Sequence, residues 1–164
     1  MIWQLSHRAD PKAVALADRH YSRQKPGTPQ FVPPGRCMVL YAETATGKAV
    51  WVTSWPFAQY VKHAWAGAWV CSIFRNEEAG LSSSLIGEVV AATRAFFGEP
   101  PALGIITFVL PKALRSVNPG ACFKHAGWRI AGAAKDGKPC LQLLPDSMPQ
   151  PEAPIGYQRS LVAA

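Results

Sequence analysis

Apolar residues recur along the chain with two different periods, and the change from one to the other marks out the elements. Residues 37–43 and 49–55 are rich in β-branched and aromatic side chains and are joined by Thr44-Ala45-Thr46-Gly47-Lys48, which predicts a β-hairpin. A third run, 69–74, predicts a strand that ends in the turn Arg75-Asn76-Glu77-Glu78-Ala79-Gly80. Beyond that turn the period lengthens. Leu85, Ile86, Val89, Val90, Phe96 and Phe97 fall on one helical face, with Ser82 or Ser83 placed to cap it. Residues 104–109 predict a fourth core strand, and 128–131 with 140–144 predict a closing hairpin around Lys135-Asp136-Gly137-Lys138.

The flanks are less regular. Residues 2–6 predict a short first strand, and Asp10-Pro11 supplies an N-cap and a proline at the first position of a helix over 11–20. Residues 24–36 hold four prolines and two glycines in thirteen positions, which excludes regular structure and predicts a stiff loop. The aromatic stretch 56–68 predicts a loop with a helical turn, and 112–127 a short basic segment. From 145 onward, proline content and lack of periodicity predict an extended tail. Strands on both sides of one crossover helix imply an α/β (α+β) domain: a mixed sheet with helices on both faces. The domain is expected over 1–145 and the proline-rich tail over 146–164.

Composition sharpens this. With 164 residues and 49% hydrophobic content the chain can bury one sizeable core. Its apolar runs are too short for a membrane helix, and the first residues do not read as a secretory signal, so a cytoplasmic protein is expected. Cys37, Cys71, Cys122 and Cys140 lack zinc-type spacing and are expected to be reduced, buried thiols.

The net charge of +7 is unevenly placed. Residues 1–36 carry six basic side chains against two acids, and 111–138 six against one, whereas the rest carries five against seven. If the fold joins these two blocks, they form a face able to neutralise phosphates; if not, they are solubilising charge. The 69–97 unit offers a second anion site. Backbone N–H groups at a helix start are unpaired and the helix dipole is positive there, so the turn is suited to a pyrophosphate, helped by Arg75, Ser82 and Ser83. His20-Tyr21 stands where the first helix meets the stiff loop, and both side chains can hold or move a proton.

The run Glu77-Glu78-Ala79-Gly80-Leu81-Ser82 resembles the turn with which acetyltransferase-like (GNAT) proteins grip the pyrophosphate of coenzyme A. Glu77 stands where that family has glutamine or arginine. The stretch from Asn118 to Trp128 resembles a second GNAT segment, with Phe123 in the place of a tyrosine that protonates the departing thiolate. A narrower resemblance rests on His20-Tyr21-Ser22-Arg23, Phe74-Arg75-Asn76-Glu77, Leu81-Ser82-Ser83 and Asn118-Pro119-Gly120. These are similar to Mom-related phage and prophage proteins, which place a carbamoylmethyl group on adenine N6 in DNA. Ser84 and Leu110 stand where those relatives carry acids.

The resemblance implies a GNAT-like, mostly antiparallel sheet and a DNA-modifying transferase. Acetyl-CoA or a related acyl-CoA would be held by Arg75, Asn76, Gly80, Ser82, Ser83 and Asn118, and His20 and Tyr21 would be catalytic. Iron at His20 and Tyr21 is a lesser implication, without a complete ligand set. Double-stranded DNA would be held by Arg23, Lys25, Arg36, Lys112, Arg115 and Lys124, with Phe31 available to stack on a base. Two other functions fit the same residues: acetyl transfer to a small-molecule or protein amine, and DNA binding without chemistry.

Overall fold

The computed structural model describes residues 1–110 and 118–158. In chain order its elements are β1 (Gln4–Leu5), α1 (Pro11–Ala17), β2 (Gly35–Glu43), β3 (Lys48–Pro56), β4 (Trp69–Glu77), α2 (Ser82–Phe97), β5 (Ile105–Phe108), α3 (Ala121–His125), β6 (Arg129–Ala133) and β7 (Pro139–Leu143). The strands form one seven-stranded sheet in the order β1-β2-β3-β4-β5-β7-β6. Neighbours are antiparallel except β4 and β5, which run parallel. This is the mixed α+β architecture expected from the sequence. No described helix is long and apolar enough to cross a membrane.

Both faces of the central strands are covered, which is why their sequences are apolar without interruption. Successive side chains of β2 point to opposite faces. Val39 and Tyr41 meet Ala13, Leu16 and Ala17 of α1, while Met38 and Leu40 meet the α2 side. There Leu85, Ile86, Val89 and Val90 join Trp51, Trp69 and Ile105 in the larger core. Its fully buried aliphatic side chains each contribute about 1.5–3 kcal/mol.

Three boundaries differ from the sequence expectation, each for a local reason. α1 ends at Ala17 rather than 20, because Arg19 and His20 donate to the carbonyls of Leu16 and Ala17, three residues back. That tightening turns His20 and Tyr21 out of the helix. β4 continues to Glu77, since its pairing with β3 persists to Asn76 opposite Ala49. The N-cap of α2 is Leu81, with no side-chain cap, so neither Ser82 nor Ser83 fills that role.

The proline-rich loop is held by one ion pair, with a buried guanidinium and a partly exposed carboxylate. Asp18 accepts from Arg23 Nε at 2.8 Å and from the Gly27 N–H at 2.9 Å. Arg23 also donates to the carbonyls of Gln30 and Thr28 and lies over the Phe31 ring, 4.4 Å from its centroid. From Pro145 the chain runs along α2 and back to β1. Met148 is buried, the Glu152 N–H donates to Ala91 O, and Ile155 exchanges backbone bonds with Trp3 and Leu5.

Candidate active site

The two parallel strands pair only at Trp69 with Ile105 and Val70 with Ile106. Thr107 Oγ1 then bonds Cys71 O at 3.1 Å, and beyond it the ladder stops. Parted strands leave backbone carbonyls to be satisfied by something else. Here the segment after α1 does so. Tyr21 donates its hydroxyl to Phe108 O on β5 at 3.3 Å, and the Ser22 hydroxyl lies 3.1 Å from Ser72 O on β4. Below them opens a cavity of about 330 Å³, lined by Arg19, His20, Tyr21, Phe74, Arg75, Asn76, Ser82, Val109, Gly120, Cys122 and Phe123. That volume lies within the ~300–1,000 Å³ range of small-ligand sites.

His20 is positioned by its own turn. The Ser22 N–H donates to Nδ1 at 3.2 Å, so Nδ1 carries the lone pair and the neutral ring holds its proton at Nε2. The Ser22 hydroxyl lies 2.8 Å from the same nitrogen, and its one proton serves either Nδ1 or Ser72 O. Burial, and then the nearby charge of Arg75, lower the His20 pKa from 6.5 to about 4. The Tyr21 ring stacks on it at 4.2 Å, and burial raises the Tyr21 pKa. At neutral pH both side chains therefore keep their neutral forms: His20 presents its Nε2–H, while the one Tyr21 proton is given to Phe108 O. Neither is poised to take a proton.

The wall on β4 is charged but internally paired. Arg19 makes two bonds of 2.7 Å to the Glu77 carboxylate, and Arg75 Nε adds a third at 2.6 Å. Arg75 also donates to Arg19 O at 2.9 Å. Arg19, with Arg75 second, holds the Glu77 carboxyl well below its ordinary range, at about 2. Two guanidiniums against Glu77 leave a single net positive charge on this wall, and Glu78 in the turn before α2 is exposed. Asn76 shapes the turn there. Its amide donates to Gly80 O and Ser82 Oγ, both at 2.8 Å, and accepts from the Ala79 N–H at 3.0 Å.

The opposite wall is apolar. Phe123 is buried, with its ring edge-on to Phe74 at 6.0 Å and to Trp128 at 5.0 Å. Gly120 starts α3 in the left-handed region, and a Cβ there would stand 2.6 Å from Leu141 Cδ1. Asn118 leads into this turn and accepts from Lys124 Nζ at 2.8 Å.

The predicted site residues thus divide. His20, Tyr21, Arg75, Asn76 and Ser82 line one cavity, with Gly80 and Ser83 in the adjoining turn and first helical turn and Asn118 just before Gly120. Among the residues expected to hold nucleic acid, Arg23 is engaged by Asp18 with its side chain only 2% exposed, and Phe31 lies beneath it. Both belong to the loop's internal packing. Arg36 sits over the rings of Trp55 and Phe97. It pairs with Trp55 at the start of β2, five residues of strand from the level of Arg75, or about 17 Å. Lys25 is exposed on the proline-rich loop and bonds Gln30 Oε1 at 2.9 Å. Lys112 and Arg115 lie outside the described residues.

Sequence reasoning missed Arg19, Ser22 and Glu77 as a working part of the site. Arg19 and Glu77 are 58 positions apart, and nothing local marks them as partners. All four cysteines are free thiols, Cys71 and Cys140 buried and the other two half-buried. Among the described residues no group of three or more His, Cys, Asp or Glu is arranged to hold a metal ion. Compared with protein-family models, curated proteins and solved structures, the chain matches none.

Proposed function

We propose that the chain is a GNAT-type transferase of the Mom-related kind, which uses an acyl-CoA-type donor to modify adenine N6 in DNA. One observation carries this reading. The His20-Tyr21-Ser22 segment is seated across two parted parallel strands, and the cavity beneath it reaches the start of α2. Donor and acceptor sites of a transferase must meet in this way, at a fixed group between two entrances.

The residues fit a diphosphate at the α2 end. The helix is sixteen residues long, Leu81 supplies no side-chain acceptor to its first N–H groups, and Arg19 and Arg75 line the same cavity as Ser82 at its start. When bound there, coenzyme A would supply an activated thioester. The adenine would enter from the Tyr21 side, extruded from the duplex, because its amine is inaccessible within the base stack.

In this scheme His20 positions the acceptor through its Nε2–H, and Tyr21, held by Phe108 O, offers its hydroxyl oxygen and the ring that stacks on His20. No carboxylate lines the cavity among the described residues, Ser84 is exposed on α2, and Glu77 is held by two arginines. Phe123 offers no proton to a departing thiolate, so in this transfer, as in acetylation of any other amine, the proton released by the attacked amine would reach the thiolate through water. The same absence of acids favours, as a second reading, a DNA-binding protein of this fold that has lost chemistry.

The test is mass spectrometry of nucleosides from plasmid propagated with the protein or with His20→Ala. The expected result is a mass-shifted deoxyadenosine with the parent and its loss in the variant. Unmodified deoxyadenosine in both would leave the DNA-binding reading.

A further inference from the structure

α1 covers only part of its sheet face. Over β5 and β7 that face is covered instead by the β3–β4 loop, whose Trp65 packs on the small core of Ala68, Ile106 and Cys140 with Phe108. The loop builds an aromatic shelf there. His63 lies 5.2 Å from Phe108 and 6.1 Å from Trp65, and Trp65 meets Phe108 edge-on at 5.9 Å.

The shelf is fixed rather than fluid. The Trp65 N–H donates to His63 Nδ1 at 3.0 Å, which sets the imidazole plane. A Cβ at Gly132 on β6 would come within 3.2 Å of the Trp65 ring, so glycine is what lets the indole lie against the hairpin backbone. Beside these rings is an open cavity of about 340 Å³, lined by Lys62, His63, Phe108, Lys135, Asp136 and Lys138 among others. Its charge is three lysines against one acid, and Asp136 pairs with Lys138 at 3.1 Å. Lys62 and Lys135 are exposed and have no carboxylate partner among the described residues.

We propose that this shelf binds a single strand of DNA, stacking one base against His63 and Phe108 while Lys62 and Lys135 hold its phosphates. Aromatic faces flanked by unpaired cations are the combination that holds single strands without reading their sequence. Charge complementarity selects this occupant, since an apolar partner would leave two lysines desolvated. The shelf is also continuous with the active site, because Phe108, whose ring it presents, accepts the Tyr21 hydroxyl through its carbonyl. It would hold the strand next to the extruded adenine, so the inference rests on DNA being the substrate.

The experiment is fluorescence anisotropy of a labelled single-stranded oligonucleotide at several salt concentrations. It compares the full chain with Lys62→Ala/Lys135→Ala, with the arginine double variant and with His63→Ala. The alanine pair is expected to weaken binding at least tenfold and to reduce the slope of log affinity against log salt by about two phosphates' worth. Arginine should restore both, and His63→Ala should weaken binding about tenfold with the slope unchanged. Equal affinity and slope in the parent and the alanine pair, with the parent still modifying plasmid adenine, would overturn the shelf alone. A parent that does not bind the oligonucleotide would overturn the shelf whatever becomes of the cleft.

Discussion

Two groups of cations on this molecule differ in what holds them. The arginines around α1 and the proline-rich loop are engaged internally: Arg19 by Glu77, Arg23 by Asp18, Arg36 by two aromatic rings. The lysines of the β3–β4 loop and the β6–β7 hairpin face solvent, and two of them have no acid to pair with among the described residues. Arginine suits the first role, since its planar fork satisfies several acceptors at once; lysine, a hydrated point charge on a flexible stem, suits the second. A count of positive charge along the chain is therefore not a count of charge available to a ligand.

That contrast breaks first at Asp18. Asp18→Ala leaves the buried Arg23 guanidinium with the Thr28 and Gln30 carbonyls but no countercharge, and frees the Gly27 N–H, at an expected cost of about 3 kcal/mol in denaturant unfolding. The same variant should become sensitive to limited proteolysis within 24–34. A loop that stays protected would show that proline stiffness alone fixes it.

Glu77→Gln comes next, at about 2 kcal/mol, because the three charge-assisted bonds from Arg19 and Arg75 weaken together. The sign of its pH dependence follows from the lowered carboxyl. The contribution is complete above the ordinary glutamate value of 4.5 and is lost as pH falls through about 2. Parent and variant should therefore differ at pH 7 and converge near pH 2. A difference that persists at pH 2 would mean that packing rather than charge holds the wall.

Arg36→Ala should cost only about 0.5–1 kcal/mol, the worth of an exposed cation over aromatic rings, and should leave oligonucleotide affinity unchanged. Reduced affinity would return Arg36 to the binding surface. At neutral pH the smallest effect belongs to His20, which is already neutral. Its contribution is present above 6.5 and fades as pH falls towards 4, so its NMR titration midpoint should lie near 4. A midpoint near 6.5 would make it a base at physiological pH.

The strands and α2 were legible because burial on both faces writes itself into the sequence as apolar runs and a helical period. His20 and Tyr21 were legible as a pair able to hold or move a proton, and the fold sets both in the cavity. The roles of Arg75 and Asn76 were not, because each depends on partners that chain composition does not reveal: Glu77 and Arg19 for one, Gly80 and Ser82 for the other. The Ser82 capping expectation failed for a related reason, since its hydroxyl already accepts from Asn76. The lysines at 62 and 135 were counted with bulk charge, and only the fold sets them beside Phe108.

The most direct test of the central claim, that the α2 end of the parted-strand cleft holds a coenzyme A-type donor, is thermal unfolding with and without acetyl-CoA. It compares the parent with Ser83→Asp. A carboxylate in the first turn of α2 favours the helix dipole but opposes a diphosphate at the same place. The account predicts a stabilisation of about 2.7 kcal/mol in the parent at acetyl-CoA a hundredfold above its Kd. It predicts none in Ser83→Asp, whose unliganded midpoint should equal or exceed the parent's. No shift in the parent, or the same shift in both proteins, would contradict it.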